Sequence, residues 1–231
     1  MRSFVPAVVA FALMAGASGA TVADPGGGRT LVTMGDSFAA TAPMIPGPDD
    51  TACIRPPTSW PTQLGARTGL LGTPNFIDLS CSGGALDTGD GWTLVHQARR
   101  AAAVGAFGPD TRAVTMQFGM NDQWGASPAR AYPSVDCMLD LIRGCGLDAA
   151  DQGRVPDYRA VSADAFANRM RGAVDFVKYY APNARIILVG YPEIFPAGQP
   201  TACLELLEVG RVVQPRAEGF VAYLDSLDAA Q

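Results

Sequence analysis

Four short runs of apolar and β-branched residues recur along the chain, at Thr30 to Met34, Asn75 to Leu79, Ala113 to Phe118 and Ile186 to Val189. Each predicts a buried strand. Between them the spacing turns helical, most clearly at Phe166, Met170, Val174 and Val177, which share one helix face behind the capping candidate Ser162. Thr58-Ser59-Trp60-Pro61 opens another helix, with Ser59 as cap and Pro61 in the first turn, and that helix closes near Gly69. Alternating strands and helices imply a parallel sheet with helices on both faces, because parallel strands need long crossovers and the crossover is usually a helix. The stretch from Gly125 to Pro156 is rich in turn residues and reads as a long excursion carrying Cys137 and Cys145. Loops of that size often shape a substrate site. A last helix is expected over Val213 to Leu227, with no further strand after it.

No linker divides the 231 residues into separately patterned halves, so one domain is expected. Hydrophobic residues at 48% and charged residues at 17% supply a sizeable core and exclude a disordered chain. The net charge of −5, with Lys and Arg scattered singly, leaves no basic stripe to follow a phosphate backbone. Nucleic acid is therefore not an expected partner. The N-terminus changes the picture more. Arg2 precedes an apolar run from Phe4 to Met14 and then the small residues Ala15 to Ala20, the parts of a secretory signal peptide. The apolar run is shorter than the roughly 20 residues that a membrane span needs. Residues 1–23 are thus expected to be a signal peptide, cut after Ala20 or Ala23, with residues 24–231 the secreted domain and no stable membrane insertion. In an oxidising compartment Cys53, Cys81, Cys137, Cys145 and Cys203 read as disulfide cysteines; none shows the paired spacing of a zinc site, and no metal is expected. Five is an odd number, so one thiol lacks a partner.

Ser37 follows the first strand, at the carboxyl end where open parallel sheets hold their ligands. A serine hydroxyl attacks only when a base removes its proton and donors stabilise the oxyanion. Two further segments occupy comparable positions, Cys81-Ser82-Gly83-Gly84 after the second strand and Gly119-Met120-Asn121-Asp122 after the third. Glycine lets a backbone amide approach a substrate closely, and an asparagine amide is a neutral donor. Each segment has a plain structural reading as well. Gly-Asp-Ser is a common turn, and Asn121-Asp122 could cap a helix. Trp60, Trp92 and Trp124 read as core or cleft walls, and Arg99-Arg100 as a solvated helix face.

In order, Gly35-Asp36-Ser37, Gly83 and Gly119-Met120-Asn121-Asp122 resemble the motifs of the SGNH, or GDSL-type, hydrolases, a family of esterases and lipases. The likeness runs from Thr30 onward and includes Gly190-Tyr191-Pro192 after the fourth strand. The cysteine pattern resembles that of the secreted actinobacterial branch. The resemblance implies a flavodoxin-like three-layer α/β/α sandwich around a mainly parallel sheet. It also implies that Ser37 is the nucleophile and that the Ser37 amide, the Gly83 amide and the Asn121 side chain form the oxyanion hole. Esters, small or lipid, would be cleaved through an acyl-enzyme by a monomer without cofactor. Asp36 and Asp122 would fix turns through local bonds to the backbone. Cys53 would pair with Cys81 and Cys137 with Cys145.

One departure stands out. The family takes its base from a histidine in an Asp-x-x-His segment near the C-terminus, whereas the only histidine here is His96, on a helix between the second and third strands. His96 reads as a surface or packing residue. Two functional readings follow: an esterase or lipase whose last strand, last helix, histidine segment and partner for Cys203 lie outside the sequence given, or a catalytically dead binding protein on the same fold. The leftover thiol favours the first.

Overall fold

The computed structural model describes residues 26–40, 53–89, 91–129, 136–206 and 210–231. The signal-like segment lies outside them. Four parallel strands, β1 (Leu31–Gly35), β2 (Phe76–Asp78), β3 (Ala113–Gln117) and β4 (Arg185–Leu188), form one sheet in the order β2-β1-β3-β4. Leu31 stands between Phe76 and Ala113, which sets the register of the central strands. β1 is buried along its whole length, and Val32, Met34, Val114 and Met116 form the centre of the core.

The helices follow from their caps. α1 (Ser37–Ala40) is a single turn beyond β1. α2 (Trp60–Arg67) starts where Ser59 accepts the Thr62 N–H, with Pro61 in the first turn, and closes just before Gly69. α3 (Leu94–Ala103) is capped by Thr93, and α4 (Ala163–Tyr180) by Ser162 through the Ala165 N–H. Phe166, Met170 and Val177 are buried and Val174 partly so, the i, i+4 and i, i+3 steps between them turning one face inward. The chain steps one way from β1 to β2 and the other way from β2 to β3. Right-handed crossovers therefore put α2 on one face of the sheet and α3 and α4 on the other.

Three expectations are corrected. β2 is the strand at one edge of the sheet and is only half-buried rather than buried. β4 is not a buried strand. It pairs with β3 alone among the described residues, and Ile187 and Leu188 are exposed. A continuous apolar run shows that a strand exists but not whether it lies at a sheet edge. The last helix, α5 (Glu218–Ala230), begins later than Val213 because Val213 and Gln214 end a hairpin of β5 (Ala202–Leu206) with β6 (Gly210–Gln214). Pro215 follows at once; its ring disfavours the helical conformation at Gln214 and it has no N–H to give. Val213 and Val212 belong to the strand for that reason.

Candidate active site

β1 and β3 are adjacent strands whose onward connections run to opposite sides, so their carboxyl ends flank the crevice that such a reversal opens. Ser37 stands at the end of β1, half-buried, as the first residue of α1. The backbone before it is held from three sides. Gly35 donates its N–H to Gln97 Oε1 (2.9 Å) and accepts from Gln97 Nε2 (2.9 Å) and from the Cys81 N–H (3.0 Å). Asp36 donates its N–H to the Gln117 carbonyl (3.1 Å) at the end of β3. Gln97 is fully buried on α3, so both polar groups of Gly35 are satisfied away from water.

Asp36 is also fully buried. Its Oδ1 accepts the Phe38 N–H (2.8 Å), the local turn bond expected from the sequence, and its Oδ2 accepts the Tyr191 hydroxyl. The same hydroxyl accepts the Met120 N–H (3.1 Å), so one phenol oxygen joins the Ser37 turn to the Asn121 turn. Loss of water raises the Asp36 carboxyl to about 7; the Tyr191 and Phe38 hydrogen bonds hold it down, and the charge of Asp122 pushes it up further. The folded protein thus binds this proton more tightly than the unfolded chain. Asp36 contributes stability that is complete below the ordinary carboxylate range and is lost as pH rises through about 7. Denaturation midpoints between pH 4 and 8 should therefore fall toward the alkaline side, and Asp36→Asn should flatten that slope. A slope that survives the substitution would remove Asp36 as its source.

The other two segments meet this turn. Gly84 packs so tightly that a Cβ would stand 2.9 Å from the Gly35 carbonyl oxygen, so no other residue fits there. Its neighbour Gly83 is exposed and donates its N–H to no acceptor among the described residues. The Asn121 amide gives one hydrogen to the Gly84 carbonyl (2.8 Å) and keeps a second. Disulfide Cys53–Cys81 ties the loop before α2 to the segment bearing Gly83, and Cys137–Cys145 closes a loop within the excursion. His96 lies elsewhere, exposed on α3 with its ring edge-on to Trp92.

Residues 33–230 match the model of the GDSL-like Lipase/Acylhydrolase family. The chain belongs to that family. It is 28% identical over 199 residues to Lipase 2 of Streptomyces coelicolor, an alignment that covers 86% of this chain and 62% of that protein. The chain thus spans less than two thirds of that relative's length. Among solved structures it is similar to phospholipase A1 from Streptomyces albidoflavus NA297 (TM-score 0.53, 18% identity, 89% of this chain and 72% of that one). It is also similar to an extracellular lipase from Streptomyces rimosus (TM-score 0.51, 20% identity, 87% and 72%). At such identities these likenesses show the shared fold.

In this GDSL-like chain Asp122 is tied across the structure rather than fixing a local turn. Its fully buried carboxylate accepts the N–H groups of Leu86 (2.9 Å) and Asp87 (3.4 Å), the Thr88 hydroxyl (3.1 Å) and the Arg169 guanidinium (2.5 Å). Burial raises this carboxyl, while Arg169 and the backbone donors pull it back. Arg169 lies over the Trp124 ring, 4.4 Å from its centroid, and also bonds Asp87 and the Gln123 carbonyl (3.0 Å). Trp124 is a core residue, and Trp60 donates to Gln117 Oε1 (2.8 Å) at the end of β3, beside β1. Gln97, Arg169 and the hydroxyl roles of Tyr191 and Tyr223 were not singled out by motif. A signal existed for the first two: each is a polar residue on the apolar face of its helix, beside Leu94, Ala98 and Ala101 or beside Phe166, Met170 and Ala173. Tyr223 binds the carbonyls of Gly119 (2.8 Å) and Met120 (2.9 Å) from α5, a distance in sequence that no local pattern spans.

Proposed function

We propose that this chain hydrolyses carboxylic esters through an acyl-enzyme on Ser37. The Ser37 Oγ attacks the acyl carbon while its proton passes to a general base, and the carbonyl oxygen becomes an oxyanion held by the amides of Ser37 and Gly83 and by the Asn121 side chain. Collapse breaks the ester C–O bond and the base returns the proton to the leaving alkoxide, which departs as the alcohol; water, deprotonated by the same base, then attacks the acyl-enzyme and releases the acid and Ser37. The observation that carries this reading is the lacing of the three segments at one sheet end: Cys81 N–H to Gly35, Asp36 N–H to Gln117, and Asn121 to Gly84. The substrate class, small or lipid esters, rests on the family. Export is supported by the signal-like N-terminus and by two disulfides.

The base is a separate matter. His96 is the only histidine in the sequence, and among the described residues no hydrogen bond joins it to Ser37. That position favours, as the second reading, a protein that binds esters in the cleft without cleaving them. A fluorophosphonate probe separates the two, since only an activated serine attacks it. Under the proposal the adduct maps to Ser37 and disappears in Ser37→Ala. An adduct that survives this substitution, or a folded protein that takes up no probe, would sink it. Rapid labelling that vanishes in His96→Ala would instead make His96 the base.

A further inference from the structure

Single exposed apolar side chains are ordinary on any protein, but a contiguous group marks an interaction site. Leu139, Leu141, Ile142 and Leu147 are 44%, 50%, 91% and 51% exposed, four large aliphatic residues within a stretch of nine. The backbone that carries them is well held. Disulfide Cys137–Cys145 closes the loop, and Met138 is buried beneath it. Gln214 of β6 donates to the carbonyls of Met138 (2.9 Å) and Asp140 (3.0 Å), and Arg154 donates to the Gly144 carbonyl. Asp140 accepts the N–H groups of Ile142 (3.2 Å) and Arg143 (2.9 Å), which fixes the tip itself. The exposure therefore belongs to an ordered frame and not to a frayed one.

We propose that the loop from Cys137 to Leu147 is an anchor for a zwitterionic phospholipid surface, with Leu141 and Ile142 entering the acyl layer. The charges around it support that partner. Asp140 pairs with Arg143 (2.6 Å) and Asp148 with Arg216 (2.9 Å), so the loop offers an apolar tip with its charges neutralised in place. The chain as a whole carries −5, which repels an anionic membrane. A protein partner fits less well. Four side chains on a nine-residue loop fall short of the roughly 800 Å² per partner that a specific protein interface buries. A residue as exposed as Ile142 also needs a matching pocket on a protein, whereas lipid yields around it. The excursion leaves the carboxyl end of β3, the end of the sheet that carries Ser37. The anchor itself stands apart from the esterase reading.

Flotation with phosphatidylcholine vesicles, using Ser37→Ala so that no lipid is consumed, tests the anchor. The protein should float with the vesicles, and the Leu141→Ser/Ile142→Ser double variant should lose about 100-fold in partitioning, at roughly tenfold per buried aliphatic side chain. Ile142→Trp should bind at least as well, and the emission it adds to that of the parent should shift to the blue on vesicles. Failure of Ser37→Ala to float, equal flotation of the double variant, or an added indole emission unmoved by lipid would each overturn the anchor. So would binding that grows as phosphatidylglycerol replaces phosphatidylcholine. Absence of phosphonate labelling in the unaltered protein, with Ser37→Ala still floating, would count against the esterase reading alone.

Discussion

Arg169→Ala should cost the protein about 3 to 5 kcal/mol of folding stability, the range for stripping one partner from a buried ion pair. Asp122 is fully shielded from water and has Arg169 as its cation, so truncation would strand a carboxylate that burial already disfavours. The backbone donors of Leu86 and Asp87 would remain and would soften the loss only in part. The guanidinium that covers the Trp124 ring would be lost too. Arg169→Lys should recover only a fraction, because an ammonium cannot reach Asp122, Asp87 and the Gln123 carbonyl with a planar fork. Urea unfolding of the three proteins at pH 7 measures this. A loss below about 1 kcal/mol, within the range of an exposed pair, would show that the Leu86, Asp87 and Thr88 donors carry the Asp122 carboxylate without Arg169.

Asn121→Ala should slow acylation of Ser37 by about 10²- to 10³-fold, the effect of removing one oxyanion donor, with a much smaller change in substrate affinity. One Asn121 hydrogen is already committed to the Gly84 carbonyl, and that bond fixes the direction of the other. The alanine variant loses both the donor and the tie to Gly84, so Asn121→Asp is the useful companion: it keeps the size but presents a carboxylate to the developing negative charge. Rates of phosphonylation or of nitrophenyl ester turnover, read against the unaltered protein, decide the matter. An alanine variant of unchanged rate would take Asn121 out of the oxyanion hole.

Much of the architecture was legible because its causes are local. The runs at Thr30 to Met34 and Ala113 to Phe118 are central strands, and Ser59 and Ser162 cap the helices their positions foretold. Ser37, Gly83 and Asn121 could be named as candidates because their segments follow strands in the order of the family they resemble. What stayed hidden depends on pairing across the chain. The sheet-edge position of β4 is decided by which strand lies beside it, the hairpin of β5 and β6 by contacts that its short mixed sequence does not advertise. Asp122 read as a local turn former because nothing near it in sequence announces Arg169, 47 residues away. Tyr191 stood within a matched segment, yet only the folded chain brings its hydroxyl between Asp36 and Met120.

The Gln97 amide, which both gives to and takes from Gly35, acts as a surrogate peptide unit at the end of β1. The Gly35-Asp36-Ser37 turn is for that reason not a portable cassette. Transplanted onto another strand without a carboxamide at the matching height of the helix behind it, the turn would carry a backbone N–H with no partner and a carbonyl left to a neighbouring strand's amide alone. Glutamate in that place would restore the acceptor alone, and leucine neither. Anyone building this turn into a new scaffold would have to import one side chain from the helix behind it.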